Sequence, residues 1–274
     1  MLAIVLCIAG YTARMRFNFG KNWQSYARTA LNAQQIEAAR TDFVRLFAQV
    51  PLAGTQFLDI GFGQGLSICL AAEAGAHCCG IDIDSDNLEA ARLTQTHFTL
   101  AQPPVLSIGS ILDPGCVAEL GQGGGFDVVH SWGVLHHTGN MALALQHAAQ
   151  LTKPQGHLVL AIYRSHWSSP LWHTIKWLYN VSPAFLRRGL IAINYWVIYV
   201  AKWLVTRQDP RKKERGMDFY HDVVDWVGGY PYEHASEAGL TEHMASLGFE
   251  RVDFIPAKVP TGCHQFVFHK TGNA

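Results

Sequence analysis

The chain has 274 residues, of which 49% are hydrophobic and only 15% charged, well below the charged share of about a quarter that is usual. That length suits one large α/β domain with insertions as well as two small ones, and so little charge implies a sizeable apolar pocket or an apolar contact surface. Lys plus Arg equals Asp plus Glu at 21 each, so no global positive field exists to hold a phosphate backbone and no nucleic acid is expected as partner.

Residues 1–10, MLAIVLCIAG, are too short to cross a bilayer and have no basic residue ahead of them, so they make a poor signal peptide. Residues 21–50 are rich in Ala, Gln and Leu, lack Gly and Pro, and read as helix ending near Pro51. An alternation then begins. Strands are expected at 56–60, 77–83, 105–110, 126–132 and 157–163. Helices are expected at 66–74, 85–97 (capped by Asp84 or Ser85) and 139–151, with a turn at Pro154-Gln155-Gly156. Apolar strands joined by helices imply a parallel sheet covered on both faces. The alternation stops at Arg164. Residues 165–235 hold most of the tryptophans, with helical stretches near 170–180 and 184–206 and a charged break at 208–215. It resumes with a helix at 238–247 closed by Gly248, then strands at 251–255 and 264–269 that form an antiparallel hairpin at one sheet edge. The six cysteines include no C-x-x-C pair; Cys78 and Cys79 alternate to opposite faces of a strand. All six read as buried thiols of a reducing compartment, the cytoplasm, without a metal.

The chemistry centres on residues 57–65, FLDIGFGQG, where a strand meets a helix. Glycines let backbone approach a ligand in conformations that a β-carbon forbids, and the next helix presents unpaired N–H groups. Dinucleotide sites use similar turns, but Leu66 stands where their fingerprint has its last glycine. Asp59 precedes the first glycine by two residues, and Asp82 ends the next strand, where a carboxylate can hold ribose hydroxyls.

This run resembles the first motif of class I S-adenosylmethionine-dependent methyltransferases. Residues 80–84, GIDID, resemble their second motif, and residues 107–111, SIGSI, their third-strand motif, with Ser110 where the family often has Asp. Residues 126–137, FDVVHSWGVLHH, and 151–160, LTKPQGHLVL, resemble their fourth strand and their approach to the fifth. The resemblance implies a Rossmann-type doubly wound, mostly parallel α/β sheet with an antiparallel edge hairpin. It implies S-adenosyl-L-methionine as cofactor. Gly61, Phe62, Gly63 and Gly65 would face its methionine part, with Asp59 ordering the turn. Asp82 would hold the ribose, Ile83, Ser110 and Ile111 the adenine, and Ser131 and Trp132 would form the floor beneath the sulfonium. Residues 16–23, RFNFGKNW, are similar to segments that close over the cofactor in a subset of these enzymes. The domains follow as 1–50, an N-terminal segment closing over the cofactor; 51–164 and 236–274, the methyltransferase domain; and 165–235, a helical, aromatic-rich lid inserted after strand five.

Methyl transfer is an in-line displacement that requires water exclusion, alignment and, for a hydroxyl acceptor, proton removal. The candidate bases are His136 and His137, just past strand four, and His221 and Tyr232 in the lid; Arg164 could hold an anionic group. Nearby His and Tyr side chains favour oxygen as the methylated atom of a small or lipophilic acceptor. The alternatives are a nicotinamide-dependent oxidoreductase and a non-catalytic binding partner of the same fold. Residues 190–205 fall short of a membrane span and read first as a buried lid helix. If instead their apolar face points outward, it would meet a membrane peripherally or a second copy of the chain.

Overall fold

The computed structural model describes residues 17–211, 219–259 and 262–272. The expectations for residues 1–10, for Arg16 and for the charged tract from 212 onward lie outside them. Seven strands form one sheet: β1 (Gln56–Ile60), β2 (His77–Asp82), β3 (Val105–Ile108), β4 (Phe126–Trp132), β5 (Thr152–Tyr163), β6 (Phe249–Ile255) and β7 (Cys263–Lys270). Their order is β3-β2-β1-β4-β5-β7-β6. β1 to β5 run parallel, and β7 enters antiparallel between β5 and β6.

Strand alternation sends successive side chains to two cores. On one face Leu58, Val129, Leu158 and Phe268 meet helices α5 (Pro114–Gly121), α6 (Met141–Leu151) and α10 (Glu237–Ser246) through Val117, Leu145 and Met244. On the other, Phe57, Val128, Val159 and Val267 meet α1 (Phe19–Thr29), α2 (Ala33–Leu46), α3 (Leu66–Glu73) and α4 (Asp86–Gln95) through Tyr26, Phe43, Ile68 and Ala91. Cys78 packs with the second core and Cys79 against the first. The lid has a core of its own, where α7 (Ser169–Val181), α8 (Ala184–Thr206) and α9 (Phe219–Gly228) bring together Tyr179, Ile191, Ile198, Phe219, Val223 and Trp226.

Two local expectations are corrected, and two helices appear where none was expected. The stretch 21–50 is two helices, because Asn32 takes extended backbone and its side chain accepts from Gln35 N, starting a new helix. The turn at 154–156 is a bulged stretch within β5, with Gln155 at φ 62°. Helix α5 starts where Asp113 caps and Pro114 opens the first turn. Residues 219–228 form a further lid helix. A larger correction concerns α8. Its 23 residues start six before residue 190, and with an 18-residue window of mean hydropathy 1.4 it is long and apolar enough to cross a membrane by length and composition. Most of it is not buried: Phe185 is 71% exposed and Trp196 64%, and the buried face is confined to Ile191, Asn194 and Ile198.

The α1–α2 break generates a stability prediction. Asn32→Ala removes the cap of α2 and lowers stability by about 1 kcal/mol; a melt that does not shift would place the start of α2 elsewhere.

Candidate functional site

The glycine turn leaves β1 where the strand order reverses between β1 and β4, the crevice in which open α/β sheets bind ligands. Gly65 caps α3 in the left-handed region, and a β-carbon on it would lie 2.8 Å from that of Ala91. Gly63 also takes positive φ, and its amide donates to Asp82 Oδ2 at 3.0 Å. The other Asp82 oxygen accepts from Asp84 N at 2.9 Å. Asp82 therefore ties the turn to the end of β2, and burial raises its carboxyl above the ordinary value. Asp59 is buried beneath the turn, 2.8 Å from His130 Nδ1 on β4.

Around these groups lies a cavity of about 1060 Å³, at or beyond the ~300–1,000 Å³ of ordinary small-molecule sites and roomy enough for two ligands. Its lining includes Asp59, Gly61, Phe62, Gly63, Asp82, Ile83, Ser110, Ile111, Trp132 and His137. Gly65 lies behind the turn rather than on the wall. Ser131 does not reach the cavity; strand alternation turns it inward, where its hydroxyl donates to Ile60 O at 2.9 Å.

The segment at 17–23 does reach it, through Phe17, Asn18, Phe19 and Trp23. Gly20 N donates to Asp84 Oδ2 at 2.9 Å, and Asn22 Nδ2 to Asp225 Oδ1 at 2.7 Å and His221 O at 3.1 Å. Phe17 packs where a β-carbon on Gly228 would stand, 2.2 Å from its ring. The segment thus bridges the second acidic motif and α9.

Of the four candidate bases only His137 lines the cavity. Its Nδ1 donates to Pro231 O at 2.6 Å, which leaves Nε2 as the acceptor nitrogen. Burial and the nearby Lys176 charge lower its pKa from 6.5 to about 3. His136 points into the protein: its Nδ1 accepts from Tyr163 N at 3.4 Å, and Nε2 has no partner among the described residues. His221 faces α1, 3.3 Å from Ser25 Oγ. Tyr232 is buried in the lid core. Arg164 is likewise absent from the wall, whereas Asp225, Tyr230, Gly262, Cys263 and Gln265 contribute to it.

Sequence reasoning missed Lys176. This residue of α7 is fully buried, its Nζ donating to Trp226 O and lying 4.0 Å from the Trp226 ring centroid, 5.0 Å from that of Tyr232 and 5.5 Å from that of Tyr163. Burial lowers its pKa from 10.5 to about 7. The aromatic partners come from β5, α9 and the loop after it, so nothing in the local run 171–180 announces the cage.

Two buried oxygens on the cavity wall, Gln64 Oε1 and Asn87 Oδ1, find no partner among the described residues. Such groups call for a polar ligand. With the Asp82 carboxylate and the glycine turn they fit a nucleoside that carries an amino-acid tail. A family model described as a methyltransferase domain matches residues 31–220. The chain belongs to that family.

The ubiquinone biosynthesis O-methyltransferase of Albidiferax ferrireducens is 35% identical over 44% of this chain and 46% of its own length. The enzyme of the same name from Bartonella bacilliformis is 30% identical over 45% and 47%. The aligned region thus spans about half the length of these curated relatives. Among solved structures, the magnesium protoporphyrin IX methyltransferase of Synechocystis PCC 6803 with bound S-adenosylhomocysteine superposes with a TM-score of 0.56. Its identity is 16%, over 92% of this chain and 94% of that one, so the likeness shows a shared fold.

The buried histidine sets a pH dependence. His136 is held neutral, its pKa well below 6.5 through burial and then the His137 and Lys176 charges. The unfolded chain takes up a proton below about 6.5 that the folded one refuses, so this term is lost as pH falls. The loss sets in as pH falls through about 6.5, the value of the unfolded imidazole. His136→Leu should flatten the decline of melting temperature below that pH; an unchanged slope would refute the neutral, buried imidazole.

Proposed function

We propose that this chain transfers a methyl group from S-adenosylmethionine to the hydroxyl of a lipophilic acceptor. The observation that carries this reading is the Asp82 carboxylate, fixed by Gly63 N and Asp84 N at the crevice edge beside the unpartnered Gln64 and Asn87 oxygens. Asp82 would accept from the ribose hydroxyls, while Ile83, Ser110 and Ile111 enclose the adenine. Gly61, Phe62 and Gly63 leave room for the methionine part, which Trp132 and Trp23 wall from the other side. When bound, the cofactor supplies an electrophilic methyl group on a sulfonium.

The protein's own work is to exclude water and orient the acceptor. Residues 17–46 line one side of the cavity and residues 198–210 and 222–230 another, which supports the division into a closing N-terminal segment, a methyltransferase domain and a lid. His137, neutral with Nε2 as acceptor, would take the hydrogen bond of the acceptor hydroxyl. Its low pKa makes it an orienting group rather than a strong base, so a readily ionised phenolic hydroxyl suits it best. Oxygen as the methylated atom agrees with the names of the curated relatives. The dinucleotide alternative loses ground because Leu66, at the position of the last fingerprint glycine, is buried in the core against α3's neighbours.

Transfer of labelled methyl from S-adenosylmethionine to a long-chain alkyl catechol tests the reading. Asp82→Ala should raise the KM for the donor by roughly 10- to 150-fold, the equivalent of ~1.5–3 kcal/mol for a charge-assisted contact, and should also lower the melting temperature, because Gly63 N and Asp84 N lose their acceptor. His137→Gln should lower kcat and leave donor KM intact. Wild-type protein that labels no phenolic acceptor would end the O-methylation reading, and an unaltered KM in Asp82→Ala would end the ribose assignment.

A further inference from the structure

Helix α8 has two unlike faces. Ile191, Asn194 and Ile198 are buried against the rest of the lid, and Lys202 pairs with Asp222 of α9 at 2.9 Å. The opposite face exposes Phe185, Ile193, Trp196, Val200, Trp203 and Leu204, at the spacing of one helical stripe. On α7, Leu171, Trp177 and Leu178 are exposed as well. A monomer in water rarely shows so large an apolar surface without a partner.

Charge identifies the partner. From residue 165 to residue 208 the sequence contains no Asp or Glu, although the whole chain is neutral. Arg188 lies at one end of α8 and Arg207 just past the other, both exposed, whereas the neighbouring Arg187 is held by Ser182 O, Asn180 O and the Tyr179 ring. A two-fold contact between copies through this face would set like charges against one another with no acid on the face to offset them. Anionic lipid head groups would meet the same arginines favourably, and Trp rings favour that interface. The helix would lie along the bilayer rather than cross it, because crossing would break the Lys202–Asp222 pair and pull the buried face of Ile191, Asn194 and Ile198 out of the lid.

The inner side of the same helix is a cavity wall: Ile198, Lys202 and Thr206 line it, and the lining continues through Gln208, Asp209 and Pro210. We propose that the outer face of α7 and α8 docks on an anionic bilayer, and that the lipophilic acceptor passes from that bilayer into the cavity beside the C-terminal end of α8. The entry route rests on the methyl-transfer reading above; the docking surface does not.

Flotation of the full chain with vesicles tests the docking, using equal parts phosphatidylglycerol and phosphatidylcholine against phosphatidylcholine alone. Wild-type protein should float with the anionic vesicles, less so at high salt. Trp196→Glu combined with Trp203→Glu should reduce partitioning by more than about tenfold. That variant should still bind S-adenosylhomocysteine by calorimetry, which shows the fold intact. It should also methylate a short, water-soluble catechol at the wild-type rate while losing turnover of a long-chain catechol carried in vesicles.

Failure of the wild type to float, or equal flotation of the variant, overturns the proposal. So does a wild-type dimer in light scattering that the variant converts to monomer, since it gives the face to a second copy. Equal loss of turnover on both catechols overturns the entry route. Flotation without binding of S-adenosylhomocysteine would overturn the methyl-transfer reading and the entry route and leave the docking surface standing.

Discussion

A carboxylate held at the end of β2 organises most of what surrounds the crevice. Asp82 accepts from Gly63 N and from Asp84 N, so the glycine turn and the start of α4 share one anchor. Asp84 in turn accepts from Gly20 N, which brings α1 over the same edge. From α1, Asn22 reaches Asp225 and the carbonyl of His221 on α9. A continuous run of hydrogen bonds thus leads from the turn to the lid. Each link is short and at least partly shielded from water, where such bonds count for more than at the surface. A ligand in the cavity would touch the first link and lie under the last.

The sheet and its motifs were legible because their signals are local. A short, largely apolar strand running into a glycine turn, a second acid one strand later and a hairpin at the end each announce themselves within a few positions. Asp59, Gly61, Asp82, Ser110 and Trp132 all arrive at the crevice for that reason. The failures arise where tertiary contacts decide. Ser131 differs from Trp132 by one step of strand alternation, and that step sends it to the core. His136 and His137 are neighbours in a 3-10 turn (Leu135–His137), yet only one reaches the cavity. Tyr232 and His221 belong to a run rich in polar aromatics, but the helix at 219–228 turns His221 toward α1 and presents Asp225 to the cavity, while the loop after it buries Tyr232 in the lid core.

Lys176 shows the limit of composition most clearly. A lysine among tryptophans on an amphipathic stretch reads as a surface cation, and the structure buries it among three aromatic rings contributed from elsewhere in the chain. Its ammonium holds the Trp226 carbonyl near the end of α9, so it clamps α7 to α9 at the cavity wall. Helix α8 errs in the other direction. Its apolar length was visible, but whether an apolar face is turned in or out depends on which residues pack, and here the narrower face with Ile191, Asn194 and Ile198 does.

The central claim is that the crevice beside Asp82 is built for an adenosyl amino acid rather than a dinucleotide. Calorimetric titration of the purified chain with S-adenosylhomocysteine and, separately, with NAD tests it most directly. The account predicts micromolar binding of the first and none of the second. Binding of NAD without S-adenosylhomocysteine would contradict it and return the glycine turn to the dinucleotide class.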